Sequence, residues 1–286
     1  MRVGFHVSIS GSIDQAVDRA IALGCNTFQI FTRNPRGWRS KPLTLGEVKA
    51  FVEKMNSYDV KPVFSHMPYL SNLASPRDDV YAKSVETLAS EMERCRRLEI
   101  LFLVTHLGSH LGAGKQTGFE RIVNAINQAF SIAGEGITLL LENTAGTQNS
   151  MGNSFEDIYY IIENSAYSKS IGICFDTCHA FASGYDFRTK KAIEELVFKI
   201  DRIIGFERLM LVHLNDSVGD LNYHIDRHEH IGMGKIGEEG FRNFLKSRFG
   251  QLPLILETPK DLRRSDFENL VKAKELAGER VNNMFS

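Results

Sequence analysis

Cysteine is scarce in this 286-residue chain: Cys25, Cys95, Cys174 and Cys178 are the only four. Four thiols in a chain of this length do not make a disulfide framework. No charge of either sign dominates, since 34 Lys and Arg stand against 35 Asp and Glu and leave a net charge of −1. That balance argues against a simple polycationic nucleic-acid binder. It does not argue against a protein whose positive field comes from bound metal. No uninterrupted apolar run approaches the roughly 18 residues of a membrane span. The opening MRVGFHV has no charged segment leading into a long apolar one. No signal peptide and no membrane contact are expected, and the cytoplasm is the expected location. Linkers, low-complexity tracts and shifts in composition are also missing, so one domain over residues 1–286 is expected.

Nucleotide and haem signatures fail on inspection. GMGKIG (232–237) matches G-x-G-x-x-G but follows a loop instead of a strand, outside any βαβ context. GAGKQ (112–116) has Ser109 where a P-loop needs its first glycine and Gln116 where it needs Ser or Thr. The run from Cys174 to His179 is one residue too long for c-type haem attachment. No nucleotide cofactor is expected, and Cys174 and Cys178 read as small packing residues.

What the sequence has in quantity is short apolar runs alternating with helical periods. Strands are expected at 2–7, 26–31, 62–66, 100–106, 137–142, 171–176, 209–214 and 252–257. Helices are expected at 12–24, 44–56, 78–98, 118–133, 188–204 and 264–281, the third with Ser75 as N-cap and Pro76 at its first position. The strand runs are nearly continuously apolar, as parallel strands buried on both faces require. A doubly wound open sheet would also alternate, but eight strands at regular spacing favour a (β/α)8 TIM barrel. The connection 215–236 is unusually long, polar and rich in Gly and His, which marks it as functional.

The chemistry lies in how the strands end. Strands three to eight finish on His66, His106, Glu142, Asp176, His213 and Glu257. In a barrel these C-terminal ends converge on one mouth, where active sites of this fold lie. One histidine at a strand end is more often a hydrogen-bonded core residue; six consecutive strands ending on metal-ligand types are not accounted for that way. Two loops add His179, three residues after Asp176, and the pair Asp226 and His228, whose spacing turns both side chains the same way on an extended backbone. Nine candidate ligands are too many for one ion and suit two or three. The His and carboxylate mixture suits zinc, with manganese in part, and neighbouring ions can clamp and hydrolyse a phosphodiester. Metal-assisted sugar isomerisation at a barrel mouth is the competing chemistry, and a damage-binding protein without catalysis is a third reading. FTRNPRGW (31–38) and HMPYLSNLASP (66–76) face the same mouth. Their Arg36, Tyr69 and Leu70 would form a wedge able to unstack bases, while Trp38 reads as loop packing.

These motifs resemble the endonuclease IV family of zinc-dependent apurinic/apyrimidinic endonucleases. The resemblance runs from GFHVSISGS (4–12) through FTRNPRGW, HMPYLSNLASP, THLGSH (105–110), LENTAG (141–146), FDTCHAFASGYD (175–186), HLNDS (213–217) and DRHEHIGMGKIG (226–237) to LILETP (254–259). It implies a monomeric barrel holding three zinc ions, with manganese able to take one position. His66, His106 and Glu142 would hold the first ion. Glu142 would bridge to the second, held with Asp176, His213 and Glu257, and would orient the hydroxide that attacks. His179, Asp226 and His228 would hold the third, which steadies the leaving 3′-oxygen. The implied substrate is duplex DNA containing an abasic site, cut 5′ to it to leave a 3′-hydroxyl and a 5′-deoxyribose phosphate. Activity on 3′-phosphodiesters and 3′-phosphates would accompany it, as in the deoxyribonuclease IV class of hydrolases. Arg36, Tyr69 and Leu70 match DNA-penetrating positions, so that the abasic nucleotide can be flipped out. Three departures stand out: Leu107 where the family has Pro, Val218 where it has Lys, and Asn222–Tyr223–His224 in place of a GSR-like segment.

Overall fold

The computed structural model describes residues 1–279. Its strands are β1 (Val3–Phe5), β2 (Phe28–Ile30), β3 (Val63–His66), β4 (Phe102–Thr105), β5 (Thr138–Glu142), β6 (Ile171–Asp176), β7 (Leu209–His213), β8 (Asp216–Ser217), β9 (His228–Glu229) and β10 (Leu254–Leu256). Among the described residues, strands β8 and β9 pair only with each other. The other eight form one parallel sheet in the order β1-β10-β7-β6-β5-β4-β3-β2. The two ends of that order meet through a parallel bridge between His6 and Gln29, where the Val7 N–H donates to the Gln29 carbonyl at 2.8 Å. The sheet therefore closes into the expected TIM barrel. At the seam Gly4 has no room for a side chain, because a Cβ there would lie 1.7 Å from the Thr27 carbonyl oxygen.

Two apolar layers hold the barrel. Outside the strands, a large cluster packs them against the helices. Inside, Phe64, Val104, Leu140, Cys174, Leu211 and Ile255 form a separate, fully buried cluster with one residue from each of six strands. Cys174 is thus a packing residue of the barrel interior, as its sequence context suggests.

The alternation of a strand turns every second side chain to the same face. Two residues beyond each member of the inner layer stand His66, His106, Glu142, Asp176, His213 and Glu257. The polar ring at the mouth is therefore the next inward layer above a dry one. Four expected strand ends fall one residue early, at Ile30, Thr105, His213 and Leu256, and the first falls two early at Phe5; His106 and Glu257 are thus left just past the last ladder position.

The helices depart more from expectation. In chain order they are α1 (Gln15–Ala22), α2 (Leu45–Ser57), α3 (Asp78–Arg97), α4 (Lys115–Ala133), α5 (Phe155–Asn164), α6 (Thr177–Ala182), α7 (Lys190–Ile203), α8 (Gly237–Leu245) and α9 (Asp266–Ala277). Helix α3 answers to the one expected at 78–98, with Arg77 at its N-cap and no side-chain cap. Ser75 does not cap it, because its hydroxyl accepts from the Arg77 N–H in a turn that precedes the helix. The last expected helix is observed as α9; residues 280 and 281 of the expected span, and the end of the expected domain, lie outside the described residues. Helices α5, α6 and α8 are unanticipated. The first is rich in Ile and Tyr and the last contains two glycines, so tertiary packing and not intrinsic propensity makes them helical.

The long connection after β7 is ordered by the antiparallel ribbon of β8 and β9. GMGKIG finds its anion within the chain. The buried Asp216 carboxylate accepts the N–H groups of Gly232, Gly234, Ile236 and Gly237 at 2.9–3.3 Å, and that of Ser217 at 2.8 Å. Gly234 must be glycine, since a Cβ would sit 2.4 Å from the Ser217 carbonyl oxygen. Asp216→Ala strands these amide donors in a buried pocket and should lower stability by about 3 kcal/mol in urea unfolding of the metal-free protein. An unchanged transition midpoint would contradict the role given to this carboxylate.

Candidate metal centre

Glu142, on β5 and 1% exposed, is the hub of the mouth. Its Oε2 lies 3.1 Å from His66 Nε2 and 3.0 Å from His106 Nε2. Its Oε1 lies 3.0 Å from His213 Nδ1 and 3.5 Å from His179 Nδ1. His213 Nδ1 also faces Glu257 Oε2 at 3.4 Å and Asp176 Oδ2 at 4.0 Å. Asp226 Oδ1 lies 3.0 Å from His179 Nε2 and 3.6 Å from His228 Nε2. All nine residues singled out from the sequence are thus gathered at one mouth.

They fall into groups small enough to share a cation. His66, His106 and Glu142 can each offer an atom within 4.8 Å of the others, as can His179, Asp226 and His228. Glu142 also groups with Asp176 and His179.

The histidine tautomers favour a cation in these spaces. His66 turns Nδ1 to the Met67 carbonyl at 2.7 Å, and His228 turns Nδ1 to the Glu257 carbonyl at 3.0 Å. His179 turns Nδ1 to the Asn143 carbonyl at 2.9 Å, and His213 turns Nε2 to Gln29 Oε1 at 2.9 Å. Each of the four has one nitrogen held by an acceptor and the other free to face carboxylates, the arrangement that metal-binding imidazoles adopt. His228 Nε2 is buried without a hydrogen-bond partner among the described residues. The donor set therefore fits a metal.

Electrostatics says the same. Burial opposes charge on His106, yet the Glu142 carboxylate overrides it and raises the ring above its ordinary value. Burial is likewise overridden at His179, which Asp176 and Asp226 push up to about 10. Burial opposes charge on His213 as well, yet the Glu257 and Glu142 carboxylates raise it well above the usual value. Glu142 is held well below the carboxylate range by His106 and His213 despite its burial. The carboxylates thus demand positive charge, which protons supply when metal does not.

Local structure explains the spacing in FDTCHA. Asp176 is the N-cap of α6, and its Oδ1 accepts the His179 N–H at 2.7 Å. The cap fixes His179 one turn into the helix while Asp176 Oδ2 stays turned to His213 and His228. Cys178, inside the same turn, is buried and its thiol is pushed up by desolvation. Burial likewise pushes Cys174 up to about 12, so both thiols stay protonated, although Cys174 lies within reach of Glu142 and His213.

Several supporting residues escape a reading of ligand types alone. Asn143 donates to the Asp176 carbonyl at 3.1 Å and accepts from the Asp176 N–H at 2.8 Å. Asn215 donates to Asp176 Oδ2 and accepts from the Glu257 N–H, both at 2.8 Å. Their signal was position: an amide one residue after Glu142, and another two after His213. His6, one residue past β1, and Gln29, on β2, meet across the seam at the same level and are not among the expected ligands.

The candidate wedge lies at the rim. Tyr69 is 67% exposed and Leu70 40% exposed. Tyr69 rests edge-on against Phe31, with ring centres 5.0 Å apart. A cleft of about 340 Å3 is lined by Tyr69, Leu70, His66, His106, His179 and Asp226. A neighbouring cleft joins Arg36 to Tyr69. The loop carrying Arg36 is anchored from behind, where Arg33 pairs with buried Glu91 of α3 at 2.5 Å. Among the departures, Asn222 and His224 tie the seventh loop to α6 through backbone N–H groups donating to the Phe181 and Ala182 carbonyls.

Fold and mouth together define a barrel of the xylose isomerase-like class, and a family profile described as "Xylose isomerase-like TIM barrel" matches residues 17–280. The chain is 54% identical to a "Probable endonuclease 4" of Methanoculleus marisnigri, with 96% of this chain and 99% of that protein covered. It is 48% identical to a "Probable endonuclease 4" of Nitrosopumilus maritimus, over 97% of this chain and all of that one. The crystal structure of endonuclease IV from Thermus thermophilus superposes with a TM-score of 0.87 at 36% identity, covering 97% and 99% of the two chains. The chain belongs to the endonuclease IV family. A D-tagatose 3-epimerase-like protein superposes with a TM-score of 0.71 at 24% identity, a likeness of fold alone.

Metal uptake should displace protons, because His179 with its value near 10 is largely protonated at pH 8 and a ligand nitrogen cannot be. Adding zinc to the metal-free protein in weak buffer at pH 8 should acidify the solution, and affinity should climb as pH rises toward 10. Uptake with no proton release would contradict this charge balance.

Proposed function

We propose that this protein is a DNA repair endonuclease that hydrolyses the phosphodiester 5′ to an abasic site in duplex DNA. The observation that carries the reading is the second group beside the first: His179, Asp226 and His228 stand next to the set around Glu142. A sugar isomerase has no use for that many metal sites, whereas a phosphodiester needs its attacking and leaving oxygens both attended. Family membership supports the same reading.

Zinc is the metal that this donor set suits, and bound zinc would supply Lewis acidity and a nucleophile derived from water at neutral pH. His66, His106 and Glu142 would hold one ion; Asp176, His213 and Glu257, with Glu142 as a bridge, a second; His179, Asp226 and His228 a third. Manganese could take one of these positions. Water adds to phosphorus, the bond to the 3′-oxygen breaks, and a 3′-hydroxyl and a 5′-deoxyribose phosphate result. Glu142 would serve the first and second ions together and orient the attacking water, its carboxylate held ionised among imidazoles. Hydrolysis of 3′-phosphodiesters and 3′-phosphates is the side activity expected of the same centre.

Tyr69 and Leu70 would enter the duplex beside the lesion, with Arg36 near the backbone, and the abasic nucleotide would occupy the cleft between them and the histidines. An abasic nucleotide has no base to unpair, so the cost of flipping is lowest there. Three zinc ions would add about six positive charges to a mouth that a near-neutral chain otherwise leaves acidic. Nothing in this scheme calls for a second subunit or a nucleotide cofactor.

A duplex bearing a tetrahydrofuran abasic analogue should be incised by the zinc-loaded protein and spared after chelation. Glu142→Gln should reduce incision by at least about 1000-fold, in the range of losing a principal electrostatic group, while circular dichroism stays that of the parent. An intact substrate with the loaded parent, or near-parental turnover in Glu142→Gln, would overturn the proposal.

A further inference from the structure

We infer that Gln29 is a positioning residue that holds His213 and Glu257 in register for the ion they would share; the inference rests on the metal-dependent reading above. Gln29 is fully buried and lies on β2, one of two barrel strands that bring no candidate ligand to the mouth. Its side-chain amide touches three partners. Oε1 faces His213 Nε2 at 2.9 Å, and Nε2 donates to Glu257 Oε1 at 2.9 Å and lies 3.0 Å from His6 Nδ1.

The chemistry fixes each role. His213 turns Nδ1 toward Glu142, Glu257 and Asp176, so its proton must sit on Nε2 for Nδ1 to offer a lone pair. The atom opposite Nε2 must then be an acceptor, which makes it the oxygen of Gln29. That leaves the amide nitrogen of Gln29 to donate to the Glu257 carboxylate, beside His6 Nδ1, which lies 3.0 Å from that nitrogen and 3.1 Å from Glu257 Oε1.

A hydrophobic residue of similar volume at position 29 would leave His213 Nε2–H unsatisfied and remove the amide donor from Glu257 Oε1, which then keeps the neighbouring His6 Nδ1 at 3.1 Å. The backbone of Gln29 also makes the bridge that closes the barrel to β1. The seam and the candidate centre therefore share one residue, and only its amide serves the centre. Removing an outer-shell partner of this kind typically weakens metal binding by about 10–100-fold.

The test is Gln29→Leu in the full chain, with Gln29→Met as the alternative if leucine prevents folding. Zinc is titrated into the metal-free protein against a chromophoric chelator, and the unfolding midpoint of the metal-free forms is compared. One class of zinc sites should weaken by about 10–100-fold while the other classes stay close to parental, whatever the unpaired His213 N–H does to the metal-free midpoint. A role confined to folding would lower the midpoint and leave no single class affected. Parental affinity in every class, or uniform loss with a lowered midpoint, would overturn the inference. Failure of the parent itself to bind zinc would instead overturn the metal reading on which it rests.

Discussion

One buried carboxylate facing four imidazoles organises this mouth. Glu142 has almost no contact with solvent, and both of its oxygens are turned to ring nitrogens. A charge in that position is costly unless opposite charge is brought to it. Asp176 and Glu257 repeat the demand around His213, and Asp226 repeats it around His179. His106, His179 and His213 answer by rising in basicity, or under the proposed function by surrendering their protons to metal. The capping of α6 by Asp176, the amides of Asn143 and Asn215, and the loop wound around Asp216 all keep this set of charges in place.

The barrel delivers that set by simple geometry. Its inner face is dry at the level of Phe64, Val104, Leu140, Cys174, Leu211 and Ile255, and two residues further along every one of those strands it becomes ionisable. Period-two alternation stacks one layer upon the other, so side chains distant in sequence meet without any being placed by a loop alone. Only the third candidate group depends on loops, and there a short helix and a short ribbon take over. The rim, with Tyr69 and Leu70 exposed beside this centre, is where a large ligand would first meet the protein.

Much of this was legible in the sequence for a physical reason. Strands buried on both faces are apolar almost throughout, so a His, Asp or Glu at their ends is conspicuous; His66, Glu142, Asp176 and His213 are the last residues of their observed strands. His106 and Glu257 were recognisable although the strands stop one residue earlier, since the inward alternation continues past the last ladder bond. The helices were less legible where packing decides: α5 is short and rich in Ile and Tyr, and α8 carries glycine, so neither has a strong local signature. Ser75 misled because a hydroxyl before Pro76 serves a turn as readily as a cap. Gln29, Asn143 and Asn215 were invisible as ligands because they are not ligands; their roles exist only once residues far apart in the chain are brought together.

The central claim is that cations belong in the spaces between these carboxylates and imidazoles. Anomalous X-ray scattering at the zinc edge, from crystals of the zinc-loaded protein, tests it most directly. Peaks are expected within coordination distance of His66, His106 and Glu142, of Asp176, His213 and Glu257, and of His179, Asp226 and His228. Crystals grown with zinc in excess that show no anomalous peak at this mouth, or show peaks only at surface side chains elsewhere, would contradict it.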